Sequence, residues 1–221
     1  MTTRFLFPRN PGRVAVKICG VTRVDEAHAI VDAGVDALGI NFWPNSKRYL
    51  PLDQATPWLR ELADTVPRVA VTVNAPDTTL RAIRDSGVID WIQLHGDETP
   101  DRVASLRQEG LPVFKALGVR DRTALEAAAD YDSPTLLLDA YAPGTYGGGG
   151  ETMDWTLGAD AVRRWPDRQI LLAGGLTPEN VAAAIRQVRP AAVDVASGVE
   201  SRPGRKDLAR TRDFIAAARA A

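Results

Sequence analysis

Short, mostly apolar runs alternate with alanine-rich, helix-patterned stretches along almost the whole chain, and this alternation limits the possible folds more than any single residue does. The runs fall at 14–18, 36–42, 68–73, 91–94, 113–116, 135–138, 169–172 and 192–195. Repeated strand-then-helix units imply a parallel sheet, because parallel neighbours need a crossover rather than a tight turn. Eight such units are the number that closes into a (β/α)8 barrel, an α/β fold that suits one domain of 221 residues. Helices are expected after Thr22 (24–32), after Asp77 (78–85) and after Thr177-Pro178-Glu179 (180–188), where a threonine cap precedes a proline at the first helical position. Gly34, Gly87 and Gly110 stand where helices should end in a left-handed residue. The organisation read from this pattern is a poorly ordered extension at 1–13, interrupted by Pro8, Pro11 and Gly12, followed by one barrel domain at 14–221.

Charge and composition narrow the function. Lys and Arg total 27 against 28 for Asp and Glu, so no global field attracts nucleic acid or an anionic membrane, and recognition must be local. No run approaches the ~18 apolar residues of a membrane span, and the first residues lack the apolar core of a secretory signal. A single cysteine makes no internal disulfide, which fits a cytoplasmic protein. Neither a dinucleotide glycine fingerprint nor a Walker A loop sits in its required strand-to-helix context, and no zinc spacing emerges. A nucleotide cofactor is therefore disfavoured and any phosphate site must be local; the expected partner is a small phosphorylated molecule, with no cofactor and no metal, bound by a monomer or a homodimer.

In barrels of this kind the loops at the strand C-termini carry the chemistry. Cys19 closes the first strand, with Gly20 behind it, and Lys17 shares its face because side chains alternate. A buried lysine must be paired, and its charge would favour the Cys19 thiolate, giving a base near neutral pH. The plainer role for such a cysteine is a small buried filler. The sixth strand ends in Asp139 and opens into a glycine-rich stretch, Gly144 and Gly147 to Gly150, read as a mobile active-site loop over 141–153. Gly174-Gly175 and Ser197-Gly198 end the seventh and eighth strands, where backbone N–H groups form phosphate sites. Arg48, after strand two, is either a bidentate grip on a carboxylate or a solvated charge. His95, ending strand four, remains open between base, metal ligand and packing group.

These motifs, taken in order, resemble the phosphoribosylanthranilate isomerases of tryptophan biosynthesis from Val16 to about Asp207. The resemblance rests on Lys17-Ile18-Cys19-Gly20 with Thr22-Arg23, Ser46-Lys47-Arg48-Tyr49, Gln93-Leu94-His95-Gly96, Leu138-Asp139, Gly147-Gly148 with Asp154-Trp155, Ala173-Gly174-Gly175-Leu176, Ser197-Gly198-Val199-Glu200, and Pro203-Gly204 with Lys206-Asp207. It implies a phosphate-binding (β/α)8 barrel that performs an Amadori rearrangement without metal or organic cofactor. By that likeness Cys19 is the general base and Asp139 the general acid, Arg48 clamps the anthranilate carboxylate with His95 lining that end, and Gly174, Gly175, Ser197 and Gly198 cradle the phosphate. The chain departs from the family in its 1–13 extension, in Ala196 where serine is common, and in four glycines before Asp154. The related isomerases of histidine biosynthesis carry an aspartate where this chain has Cys19. A silent phosphosugar-binding barrel would need neither the cysteine nor Asp139.

Overall fold

The computed structural model describes residues 5–8, 12–141 and 152–221. Strands β1 (Ala15–Cys19), β2 (Ala37–Asn41), β3 (Arg68–Thr72), β4 (Trp91–Leu94), β5 (Val113–Val119), β6 (Thr135–Ala140), β7 (Gln169–Leu172) and β8 (Ala192–Val195) form a closed parallel barrel in sequence order, with β8 returning to β1. Around it lie α1 (Val24–Asp32), α2 (Leu52–Glu61), α3 (Asp77–Asp85), α4 (Pro100–Gln108), α5 (Arg122–Ala127), α6 (Trp155–Arg164), α7 (Val181–Val188) and α8 (Leu208–Arg219). Among the described residues no helix is long and apolar enough to cross a membrane.

Strand alternation divides the apolar residues into two shells. Val16, Ile18, Leu38, Ile40, Ile92, Leu136, Leu138, Ile170, Leu172, Val193 and Val195 face the helices. The inner shell combines small and large side chains: Ala37, Ala116, Ala173 and Ala192, with Ala15 packed against them, share one buried cluster with Val69, Trp91, Phe114, Leu137 and Leu171. Leu6 and Phe7, at 4% and 3% exposure, belong to this inner cluster. The Phe7 N–H donates to Gln169 Oε1 at 3.2 Å, and Gln169 Nε2 donates to the Phe7 carbonyl at 2.6 Å. Within the extension expected to be poorly ordered, Leu6 and Phe7 are therefore packed, because they join the apolar cluster inside the barrel and Gln169 satisfies the backbone that enters it.

Helix ends follow the sequence reading more closely than helix starts. Gly34, Gly87 and Gly110 adopt φ of +83°, +69° and +83°, which an L side chain tolerates poorly. Thr22 does not cap α1: its hydroxyl donates to the Gly204 carbonyl at 2.7 Å, and Arg23 holds the cap position. Thr177 likewise yields to Asn180, whose Oδ1 accepts from the Thr177 N–H at 2.8 Å as α7 begins at Val181. Beyond β8 the chain forms a 3-10 turn (Ser197–Val199) and a small hairpin of β9 (Glu200–Arg202) and β10 (Arg205–Lys206), turning at Gly204 with φ +76°.

Candidate active site

Cys19 is the last residue of β1 and stands half-buried in the barrel's C-terminal mouth. Below it Lys17 is wholly buried, and its ammonium meets Asp194 Oδ1 of β8 at 2.9 Å, directly across the strand register. Gly39 faces the thiol from β2, where a Cβ would come within 2.8 Å of Sγ. Burial pushes the Lys17 ammonium down, but Asp194 and Cys19 more than restore it, so it stays charged. Burial also pushes the Cys19 thiol up; Lys17 pulls it down, Asp194 pushes it up again, and Lys206 and Arg48 pull down less. The net direction is upward. This direction is opposite to the lowering expected from Lys17 alone, because desolvation outweighs the ammonium and Asp194 offsets much of that charge.

Asp139 lies on β6, three strands from β1 by way of β7 and β8. Its Oδ1 accepts from the Ala140 N–H at 2.8 Å, and its Oδ2 is 3.3 Å from His95 Nε2. His95 Nδ1 meets Gln93 Nε2 at 3.0 Å. With the Gln93 amide assigned as donor, Nδ1 is the acceptor and the ring proton sits on Nε2, facing Asp139. The sequence left His95 open between base, metal ligand and packing group; the geometry makes it a partner of the Asp139 carboxylate, a role not named there. Among the described residues no group of three or more His, Cys, Asp or Glu side chains could hold a metal ion.

Arg48 is not a solvated charge. Its side chain is 13% exposed, and Nε and Nη2 donate to the two Glu200 oxygens at 2.8 and 2.7 Å. Gly20, at φ +74°, permits this path: a Cβ there would lie 2.3 Å from Arg48 Cδ. Glu200 also accepts from Lys206 Nζ at 2.9 Å, and that ammonium reaches the carbonyls of Cys19 at 2.6 Å and Ala196 at 3.0 Å. Burial pushes the Glu200 carboxyl up, but the Arg48 and Lys206 cations bring it below the ordinary range.

The two glycine-bearing loops meet. Gly174 and Gly175 adopt φ of +81° and +62°, and a Cβ at Gly174 would lie 2.5 Å from the Ala140 nitrogen. A Cβ at Gly198 would lie 1.9 Å from the Leu176 carbonyl oxygen, so the loops after β7 and β8 touch through bare backbone. Ser197 opens the short 3-10 turn beside them. The glycines at 144 and 147–150, and most of the loop expected to cover the mouth, lie outside the described residues. Sequence reading named Cys19, Asp139, Arg48, His95 and both glycine loops; it missed Asp194, Glu200 and Lys206 as partners. For Asp194 the signal was a lone acid inside the buried run of β8.

Functional groups collected where β1, β2, β4, β6, β7 and β8 end are the arrangement of (β/α)8-barrel enzymes, and this chain is of that class. The family described as N-(5'phosphoribosyl)anthranilate (PRA) isomerase matches residues 16–217. The chain belongs to the N-(5'-phosphoribosyl)anthranilate isomerase family. It is 45% identical over 202 residues to the isomerase of that name from Trichlorobacter lovleyi, covering 91% of this chain and 96% of the relative. The crystal structure of phosphoribosyl anthranilate isomerase from Thermotoga maritima superposes with a TM-score of 0.83 at 38% identity, over 94% of this chain and 100% of that one. A further structure of such an isomerase, in complex with reduced 1-(o-carboxyphenylamino)-1-deoxyribulose 5-phosphate, gives 0.80 at 36% identity over 94% and 100% of the two chains.

Proposed function

We propose that the chain converts N-(5'-phosphoribosyl)anthranilate to 1-(2-carboxyphenylamino)-1-deoxyribulose 5-phosphate, with Asp139 as general acid and Cys19 as general base. The observation that carries the assignment is the placing of one thiol and one carboxylate at the ends of β1 and β6, in a mouth rimmed by the two glycine loops. Asp139, when it carries a proton, delivers it to the furanose ring oxygen; the C1'–O bond breaks and the anthranilate nitrogen shares its electron pair to form an iminium. The iminium acidifies the C2' hydrogen. Its positive charge also favours the Cys19 thiolate, offsetting the burial that holds the thiol up in the free enzyme. Cys19 takes the C2' proton, an enolamine forms, and tautomerisation to the ketone completes the rearrangement. No step in this scheme calls on a metal or organic cofactor.

Binding is divided between the two ends of the substrate. The backbone of Gly174, Gly175, Ser197 and Gly198 holds the phosphate, where a side chain at 174 or 198 would collide with neighbouring backbone. Arg48 takes the anthranilate carboxylate, and His95 stands beside the acid. The test is direct. Protein added to enzymatically generated substrate should abolish its anthranilate-type fluorescence, and Cys19→Ala and Asp139→Asn should each lower kcat on the order of 10²- to 10⁴-fold. Persistent fluorescence with folded protein, or full activity in either variant, would refute the assignment.

A further inference from the structure

The hairpin of β9 and β10 takes no part in the chemistry above, yet it supplies Glu200, which fastens Arg48, and Lys206, which fastens Glu200. Its register sets Lys206 opposite Glu200, and it is tied down from α1, where Glu26 accepts from Arg205 Nε at 2.9 Å and from the Lys206 N–H at 3.2 Å. Thr22 holds the turn through the Gly204 carbonyl at 2.7 Å. Resting on the reading of Arg48 as the carboxylate clamp, we infer that Glu200 is the positioning residue that sets the Arg48 fork, with Lys206 as its post.

Three observations carry this inference. Glu200 engages Nε and Nη2 of the guanidinium; among the described residues no acceptor meets Nη1, so the end formed by Nη1 and Nη2 remains for a second carboxylate. The side chains of Glu200 and Lys206 are 3% and 0% exposed, so this is a fixed, desolvated brace rather than a surface pair. The charges of Arg48, Glu200 and Lys206 sum to one positive, which suits a monoanionic aryl carboxylate, while Lys17 and Asp194 cancel beside it. A long arginine side chain held on one face presents the other without further ordering, which is how a neighbouring shell tightens binding.

The experiment is a double-mutant cycle of Glu200→Gln and Arg48→Ala in the intact chain, reading KM and kcat for the substrate and the inhibition constant of inorganic phosphate. Glu200→Gln should raise KM on the order of 10- to 100-fold, with a much smaller change in kcat, and leave phosphate inhibition as it was. In the Arg48→Ala background it should add nothing to KM, because it acts through that side chain. Glu200→Asp keeps the charge beside Lys206 but falls one methylene short of the fork, so it should reproduce the rise in KM even if the glutamine variant does not fold. An unchanged or lowered KM in these variants, additive effects in the cycle, or equal weakening of phosphate would overturn the brace. If Arg48→Ala itself left KM unchanged, the clamp would fall and the brace with it; a normal Arg48→Ala effect beside a silent Glu200 would overturn the brace alone.

Discussion

Replacing Phe7 with alanine should destabilise the barrel without touching its chemistry. Phe7 is 3% exposed and belongs to the buried cluster inside the barrel that also holds Ala15, Ala37 and Ala192. Those alanines belong to strands of a closed barrel and cannot move inward to occupy the vacated volume. The cost should therefore approach the range for emptying a buried phenylalanine site, about 3–5 kcal/mol. For a chain of this size each kcal/mol lowers Tm by about 2–4 °C, so the melting temperature should fall by about 6–20 °C. Gln169→Leu leaves the Phe7 N–H and carbonyl without their partner at the same seat, and at about 1–3 kcal/mol for each orphaned group it should shift Tm in the same direction. Thermal and urea unfolding measure both, alongside kcat/KM, which should stay within about twofold because Phe7 packs at the strand starts and Cys19 and Asp139 lie at the strand ends. A Phe7→Ala loss below about 1 kcal/mol, or a fall in kcat/KM without a fall in Tm, would refute the reasoning.

Three further outcomes follow from the geometry. Because burial raises the Cys19 thiol and only the thiolate takes a proton, kcat/KM of the free enzyme should keep rising above the ordinary thiol value of about 8.5, and Cys19→Ala should lose that limb; a pH–rate profile that levels off below pH 8 would contradict it. Gly198→Ala drives a methyl group toward the Leu176 oxygen, so the inhibition constant of inorganic phosphate should rise at least about tenfold, and an unaltered value would count against the phosphate assignment. The Glu200 carboxyl is held below its ordinary value, so its contribution to stability is present above the unfolded value of about 4.3 and is lost as pH falls through the folded one. Unfolding measured from pH 7 to pH 3 should show a shallower acid decline in Glu200→Gln than in the parent.

The barrel was legible because buried parallel strands are apolar on both faces, and β4, β7 and β8 fall on the runs at 91–94, 169–172 and 192–195. The candidate site was legible for a related reason: Cys19, Asp139 and the glycine pairs stand at the C-terminal ends of β1, β6, β7 and β8, the end where barrels place function. What the sequence hid is whatever depends on distant strands. Lys17 finds Asp194 across 177 residues, and Arg48 finds Glu200 across 152, pairings set by barrel closure and not by local spacing. The same gap reversed the expected direction of the Cys19 thiol: the sequence showed that a buried Lys17 must be paired, but not that desolvation of the thiol and the nearby Asp194 would outweigh the ammonium. Leu6 and Phe7 looked like a broken pattern among prolines and arginines, because the apolar cluster they join is contributed by strands far away in sequence.

The division of labour between Cys19 and Asp139 is tested most directly by single-turnover conversion of substrate deuterated at C2', which removes product release from the measurement. With Asp139→Asn the ring stays closed and proton removal is not the slow step, so deuterium should change the rate little. With Cys19→Ala the ring opens but the C2' proton leaves slowly, so the isotope effect should be larger. An effect in Cys19→Ala no larger than in Asp139→Asn would contradict the assignment of Cys19 as the base.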